Sequence, residues 1–211
     1  MTDPTESARD DLAFVRALMS ESGQVQSSLG QALLAGGACY GVQCLLQAFL
    51  STGIQVPVAV HLVVGITPTL VFLVAITLIS IRDKGKSQHS VGTRAINAAF
   101  GGGGLAALTT ALIFGYLAFS FHNMGTWLLH PTMICVVQGT VWYTAYAIRR
   151  RGWFALVSVG WFATALVLAW MLGQGNEKLI PYFLLVLAAA LLGLMALPGW
   201  IMMRAGARHP A

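Results

Sequence analysis

Charged residues are scarce in this chain. They make up 9% of its 211 residues, while 57% are hydrophobic, and soluble domains carry roughly 25% charged residues. The mean hydropathy of +0.74 agrees with this composition. The apolar runs also leave no length for a separate extramembrane domain. We therefore expect an integral membrane protein rather than a soluble one.

Six apolar runs are long enough to cross a bilayer, since about 20 helical residues span its hydrocarbon core. None of them contains Asp, Glu, Lys or Arg, and none alternates with the period of two typical of a membrane β-strand. We predict an all-α bundle of six transmembrane helices over residues 29–203, between a segment 1–28 and a tail 204–211. The predicted spans are Leu29–Leu50, Val58–Ile81, Ala95–Ser120, Trp127–Ile148, Trp153–Leu172 and Leu179–Met203.

The basic residues indicate the orientation of the bundle. Eleven of the twelve Lys and Arg flank the runs on the side of the N-terminus, and Lys178 is the exception. The positive-inside rule makes that side the cytoplasm. We predict cytoplasmic termini and location in a bacterial inner membrane. Because topology accounts for the net charge of +5, we expect no nucleic-acid partner. The expected partners are the lipid bilayer, other membrane proteins or further copies of the chain.

Residues 1–28 contain no apolar h-region, so we expect the first span to be retained rather than cleaved. A short amphipathic helix is predicted within this segment, where apolar residues follow at helical spacing: Leu12, Val15, Leu18 and Met19. Two interpretations stay open. The helix binds a cytoplasmic partner, or it lies on the inner leaflet of the membrane.

The segment Asp11–Leu18, followed by a short polar linker and a multi-pass bundle, resembles small uncharacterised multi-pass inner-membrane proteins of proteobacteria. The resemblance covers this segment and the general architecture. Since that group has no assigned activity, it implies no catalytic or binding residue here.

Catalytic groups are missing from the apolar runs. Without an intramembrane carboxylate, a proton-coupled transporter is disfavoured, and a diaspartyl protease or an HExxH metalloprotease is excluded. No GxSxG, P-loop or Rossmann pattern occurs either. Cys39, Cys44 and Cys135 lie inside runs with no CxxC spacing, so a disulfide framework is not indicated. We expect a non-enzymatic accessory, assembly or regulatory membrane protein.

Histidines form the first candidate site. His61 and His130 lie near the starts of the second and fourth runs, and His122 follows the third, so all three are predicted at a similar, periplasmic depth. Imidazoles at one level suit haem iron or a transition metal, and sulfur ligands suit Cu(I); the nearby sulfur side chains are Cys44, Met124, Met133 and Cys135. His61 and His130 are therefore candidate ligands of haem or copper. The alternative is that they bond to water, lipid or backbone.

Uncharged polar side chains form the second candidate site. Tyr40, Gln43 and Gln47 share one face of the first predicted helix, and Gln138 and Trp142 share a face of the fourth. Polar side chains in lipid need partners, so these faces should point into the bundle. One interpretation is a site for a small polar ligand or a quinone; another is interhelical hydrogen bonding alone. A third is a neutral solute pathway lined by Gln43, Gln47, His61, Gln138 and Tyr143.

Small residues predict close helix packing. Gly37 and Gly41 form a GxxxG pair that we expect to end at Leu33, one turn earlier. Ala98, Gly102 and Ala106 form a second row, through the run Gly101–Gly104. The second row predicts either tight packing or a kink, since glycine weakens a helix by about 1 kcal/mol relative to alanine.

Overall fold

A computed structural model describes residues 28–52, 57–83 and 91–207. Within these ranges the chain is helical apart from short turns and contains no strand, which confirms the all-α prediction. The predicted N-terminal amphipathic helix, the segment Asp11–Leu18 and the end of the predicted cytoplasmic tail lie outside the described residues.

The helices of the described ranges follow one another with short connections. They are α1 (Ser28–Leu50), α2 (Val58–Asp83), α3 (Val91–Ser120), α4 (Met124–Trp127), α5 (Leu129–Arg149), α6 (Gly152–Gly173), α7 (Ile180–Leu191) and α8 (Leu197–Ala207). A 3₁₀ turn, Glu177–Leu179, precedes α7. A π-helical segment, Leu192–Ala196, joins α7 to α8, so that these elements form one rod.

Within the described ranges, five helical units are long and apolar enough to cross a membrane: α1, α2, α3, α6 and the rod Glu177–Ala205. Their outward faces carry large apolar side chains, such as Phe119, which is 79% exposed, and Leu166, which is 74% exposed. Soluble proteins rarely expose continuous apolar surface of this extent. The protein is an integral membrane protein.

The predicted fourth span corresponds to α5, which is more polar than the five units above and does not count among them. Cys135 and Trp142 of α5 are completely buried, and α5 packs against α3 and α6. Ser158 of α6 donates a 2.7 Å hydrogen bond to the Gly139 carbonyl of α5. One stripe of α5, which includes Met133, Val136 and Tyr143, faces outward, whereas Thr132 and Cys135 are buried against its neighbours. The count of six spans and their orientation remain predictions.

The helix ends differ from the apolar runs by a few residues, because backbone hydrogen bonding continues beyond the apolar part. The helix α3 begins at Val91 rather than Ala95 and so includes Arg94. The helix α2 continues to Asp83, past the predicted end at Ile81. Charged side chains therefore occupy the terminal turns of the helices.

The predicted GxxxG packing of α1 is confirmed, and the partner is the rod. A Cβ added to Gly37 would lie 2.5 Å from the Ala196 backbone nitrogen, and one added to Gly41 would lie 2.8 Å from Leu192. The row does not end at Leu33 as predicted. Gly30 lies two turns before Gly37, and a Cβ there would approach the Gly199 carbonyl to 2.7 Å.

The second small-residue row behaves differently. The helix α3 continues through Gly101–Gly104 without interruption. The prediction that Ala98, Gly102 and Ala106 pack tightly is wrong within the described part of the bundle, because a Cβ on Gly102 would meet nothing within 4 Å. Gly103 makes the close contact instead, since its Cβ would lie 2.8 Å from Val141 of α5. The residue of α3 that packs against α5 is thus one position after the predicted Gly102, and Gly102 itself lies on the outer face of α3.

Candidate functional site

A cavity of about 610 Å³ lies among α1, α2, α3, α5 and the rod. Its walls are the first turns of α1, the last turns of α2 and the first half of α3, together with Gln138 of α5 and Met195 of the π-helical segment. Ser28 and Asp83 stand at one end of it, which is the end of the bundle that the basic residues predict to be cytoplasmic. We call this space the inner cavity.

Missing side chains on α3 create part of the inner cavity. Gly101 and Gly104 line it, and a Cβ built on either would meet nothing within 4 Å. Gly102, between them, is equally open but does not line the cavity. Larger side chains at positions 101 or 104 would therefore occupy this space, whereas one at position 102 would point elsewhere.

Two buried polar atoms at this site have no hydrogen-bond partner among the described residues. They are Oε1 of Gln138, which lines the inner cavity, and Nε1 of Trp142, whose side chain is completely buried. A buried polar atom left unpaired costs about 1–3 kcal/mol. Their arrangement on adjacent turns of α5 therefore favours binding of a group that supplies both missing hydrogen bonds.

A smaller space of about 20 Å³ adjoins Trp142, and we call it the side pocket. It shares Leu29, Asn97 and Phe100 with the walls of the inner cavity. The Phe100 ring meets the Trp142 ring edge-on, with their centroids 5.4 Å apart. The side pocket is large enough for one water-sized group.

The polar face of α1 points toward α2, as expected for uncharged polar residues in a bundle. Gln43 Nε2 donates to the Gly65 carbonyl at 3.0 Å, and Gln47 Nε2 donates to the His61 carbonyl at 3.2 Å. The ring nitrogen Nδ1 of His61 lies 3.3 Å from Gln47 Oε1. Tyr40 continues this face, since its ring lies 5.5 Å from that of Phe72. The structure thus brings together Tyr40, Gln43, Gln47 and His61.

The remaining residues of the predicted solute pathway lie elsewhere. Gln138 lines the inner cavity, whereas Tyr143 is 58% exposed and contacts Tyr146, with ring centroids 6.3 Å apart. The structure places Tyr143 on the outer surface of α5, away from the side chains with which it was grouped.

The three histidines contact different neighbours. His61 bonds to α1, whereas His130 Nε2 donates to the Ala107 carbonyl of α3 at 3.3 Å and stacks on Trp127. His122 stacks on Phe119. Within residues 28–52, 57–83 and 91–207, no group of three or more His, Cys, Asp or Glu side chains is arranged to hold a metal ion. Assignment of His61 and His130 to haem or copper remains a sequence-based prediction.

The sequence identified Gln138 and Trp142 as a pair but did not reveal that both are left unpaired. It also suggested packing or a kink for the glycine run, and not a cavity wall. A run of glycines on one helix facing a polar pair on another was the available signal. No protein-family model, curated protein or solved structure matches the chain, so its function is inferred from this chemistry.

Proposed function

We propose that the protein is a non-enzymatic accessory or regulatory protein of a bacterial inner membrane that binds a small amphiphilic molecule in the inner cavity. The observation that carries this proposal is a cavity of about 610 Å³ with mostly apolar walls and a buried, unpaired acceptor at Gln138. Sites for small molecules typically measure roughly 300–1,000 Å³ and combine apolar walls with a few polar groups.

The attachment of α2 supports entry from the membrane. Among the described residues α2 contributes no buried side chain, and its hydrogen bonds from Gln43 and Gln47 reach only its first half. Its second half, including Ile79, forms a wall of the inner cavity. Pro68 separates the two halves and removes one helical hydrogen bond. This half contacts α1 through the Phe72 ring, which packs on Tyr40, and it buries no side chain. We infer that an amphiphile enters the inner cavity from the membrane past this half of α2.

The charge distribution favours binding over catalysis. The described side chains that line the inner cavity are neutral except for Asp83 at its mouth. Acid–base and nucleophilic chemistry need a positioned titratable group near the reacting atoms. Away from Ser28 and Asp83, the cavity offers the amides of Asn97 and Gln138, the Ser80 hydroxyl, small residues and hydrocarbon.

Saturable photolabelling tests the proposal. The full chain is placed in lipid nanodiscs with two photoreactive hexadecyl probes, an alcohol and a methyl ether, and labelled residues are mapped by mass spectrometry. We expect saturable labelling around Gln138 and on the facing wall of α3. Gly104→Leu should abolish most of it, because the new side chain extends into the cavity.

The matched control is Gly102→Leu, which adds the same side chain to the same helix outside the cavity. It should leave labelling unchanged. Labelling that stays proportional to probe concentration, or that falls equally in the two leucine variants, would show that the probes reach only the lipid-facing surface and would refute the proposal.

A neutral solute pathway is the second candidate. One observation favours it: Gln43 Oε1 and Gln138 Oε1 are both buried without a partner in the described bundle, so each retains the capacity to accept a hydrogen bond from a polar solute. Cysteines introduced at positions 43 and 138 should then react with aqueous maleimides. Complete protection of both positions would exclude this pathway.

A further inference from the structure

We propose that the inner cavity selects a neutral amphiphile with a hydroxyl headgroup, held between Trp142 Nε1 and Gln138 Oε1. This inference rests on the proposed function, because it assumes that the cavity binds an amphiphile at all. It adds which atoms recognise the headgroup and which class of headgroup fits them.

The two unpaired atoms have opposite hydrogen-bonding roles. The indole N–H of Trp142 can only donate, and the amide oxygen of Gln138 accepts. The two residues are four positions apart on α5, so their Cβ atoms lie about 5–6 Å from each other on one face. A hydroxyl group accepts and donates through one oxygen and can bridge them. An ether oxygen accepts only and would leave Gln138 unpaired.

The two spaces match the two parts of such a molecule. The side pocket of about 20 Å³ next to Trp142 admits one oxygen-sized group. The inner cavity, which shares Asn97 and Phe100 with it, provides apolar volume for a hydrocarbon chain. The headgroup oxygen therefore sits at the shared wall, with the chain extending toward α2 and the π-helical segment.

The charges favour a neutral headgroup. No Lys or Arg is among the described residues that line the inner cavity. Arg149 borders only the side pocket, and its Nη2 donates to Thr93 Oγ1 at 3.4 Å. The side pocket that Arg149 borders admits a single oxygen-sized group. A carboxylate or phosphate would place its other oxygens in the inner cavity, where no cation lines the described walls and the loss of hydration is unfavourable.

A competition series tests the headgroup preference on the full chain in nanodiscs. Unlabelled hexadecanol, hexadecyl methyl ether and hexadecanoate compete with the photoreactive alcohol for the site around Gln138. We expect hexadecanol to compete at a concentration roughly three- to tenfold lower than the ether, the factor set by one additional hydrogen bond. Gln138→Met should reduce this advantage, because only the alcohol donates to Gln138. Trp142→Phe should weaken competition by the alcohol and by the ether alike, because both accept from the Trp142 indole.

Trp170→Phe is the matched control, because it removes an indole from an exposed position of α6; it should retain the full preference. If Gln138→Met fails to fold, Trp142→Phe decides, since phenylalanine keeps an aromatic ring at the buried position. If Trp142→Phe leaves the competing concentrations of both the alcohol and the ether unchanged, the inference is overturned.

The remaining outcomes separate the inference from the proposed function. Equal competition by the alcohol and the ether would overturn the hydroxyl assignment and leave amphiphile binding intact. Stronger competition by hexadecanoate would overturn the neutral headgroup and assign an anion near Arg149. If neither photoreactive probe labels the cavity saturably, the proposed function itself fails, and the inference with it.

Discussion

The indole nitrogen of Trp161 lies 3.3 Å from the carbonyl oxygen of Leu194, to which it donates a hydrogen bond. In a regular α-helix the donor to this carbonyl would be the N–H of residue 198, but that residue is Pro198 and has none. The rod is π-helical at this place, over Leu192–Ala196. A side chain of α6 thus supplies a hydrogen bond that the sequence of the rod removes.

We expect Trp161→Phe to destabilise the protein by about 1–2 kcal/mol. The substitution keeps an aromatic ring in a completely buried position but leaves the Leu194 carbonyl without its side-chain donor. Unfolding in mixed micelles with increasing sodium dodecyl sulfate, followed by the remaining tryptophan fluorescence, measures the change.

Trp142→Phe is the informative comparison, because both indoles are completely buried but only that of Trp142 is unpaired in the described bundle. Without added amphiphile we expect this variant to lose less stability than Trp161→Phe, because both variants lose the same ring volume but only Trp161→Phe also breaks a hydrogen bond. Equal losses of stability in the two variants would show that ring volume, and not hydrogen bonding, determines the effect.

The contact between α1 and the rod depends on glycine. We expect Gly37→Ala to destabilise the bundle by about 1–3 kcal/mol, because the added methyl group would lie 2.5 Å from the Ala196 nitrogen and 2.7 Å from the Leu191 carbonyl. Backbone atoms at such distances cannot move aside as a side chain can. The same unfolding titration, with size-exclusion chromatography, measures the loss.

Gly102→Ala provides the control for helix propensity. Its Cβ would meet nothing within 4 Å, so we expect the helix-forming preference of alanine to stabilise α3 by up to about 1 kcal/mol. Because Gly37→Ala should lower the free energy of unfolding and Gly102→Ala should raise it, the pair distinguishes the effect of packing from that of helix propensity. A stabilising effect of Gly37→Ala would contradict the close approach of the two helices.

These positions also show what could be predicted from the sequence. Apolar runs locate the helices because a helix that spans a membrane needs a minimum number of apolar residues. The predicted helix ends agree with the observed ends at Val91 and Asp83 to within a few residues. The pair Gly37 and Gly41 was predicted correctly because a GxxxG row on a membrane helix requires a close neighbour. Both predictions succeeded because the length of an apolar run and the spacing of its glycines can be read from a single helix.

The inner cavity depends instead on how several helices are arranged. A glycine run has the same sequence whether it faces another helix, lipid or empty space, so the different surroundings of Gly102, Gly103 and Gly104 were not predictable. The polarity of α5 likewise became interpretable only once the structure showed that Thr132 is buried and that Gln138 lines the inner cavity. Which residues a helix contacts depends on the arrangement of the whole bundle, and the sequence of that helix alone does not show it.

The haem or copper hypothesis gives a further prediction. Because α2 bonds to α1 through His61 while α5 bonds to α3 through His130, we expect no iron or copper ion to be shared by the two imidazoles. The purified protein should show no Soret band when oxidised or dithionite-reduced, and metal analysis should find no stoichiometric copper. A Soret band or bound copper that disappears in both His61→Ala and His130→Ala would contradict this expectation.

The position of α5 decides the topology of the chain. If α5 crosses the bilayer, the turn before it and the turn after it lie on opposite sides, and the basic residues place Arg149, Arg150 and Arg151 in the cytoplasm. We expect this result although α5 is less apolar than the other long helices, because Thr132 is buried and Gln138 lines the inner cavity, so that neither side chain faces lipid.

Single cysteines at exposed turns test this topology in a background in which Cys39, Cys44 and Cys135 are alanine. In intact cells a membrane-impermeant maleimide should label Phe121→Cys and Gln174→Cys, while Gly152→Cys should react only after the cells are opened. Gly152 suits the purpose because a side chain there meets nothing within 4 Å.

Labelling of positions 121 and 152 from the same side would show that α5 does not cross the membrane and that the chain has five spans. The two termini would then lie on opposite sides, and the twelve Lys and Arg would divide seven to five between the two faces instead of eleven to one. Labelling of 121 and 174 but not 152 would establish the six-span arrangement and place the mouth of the inner cavity at the cytoplasmic surface.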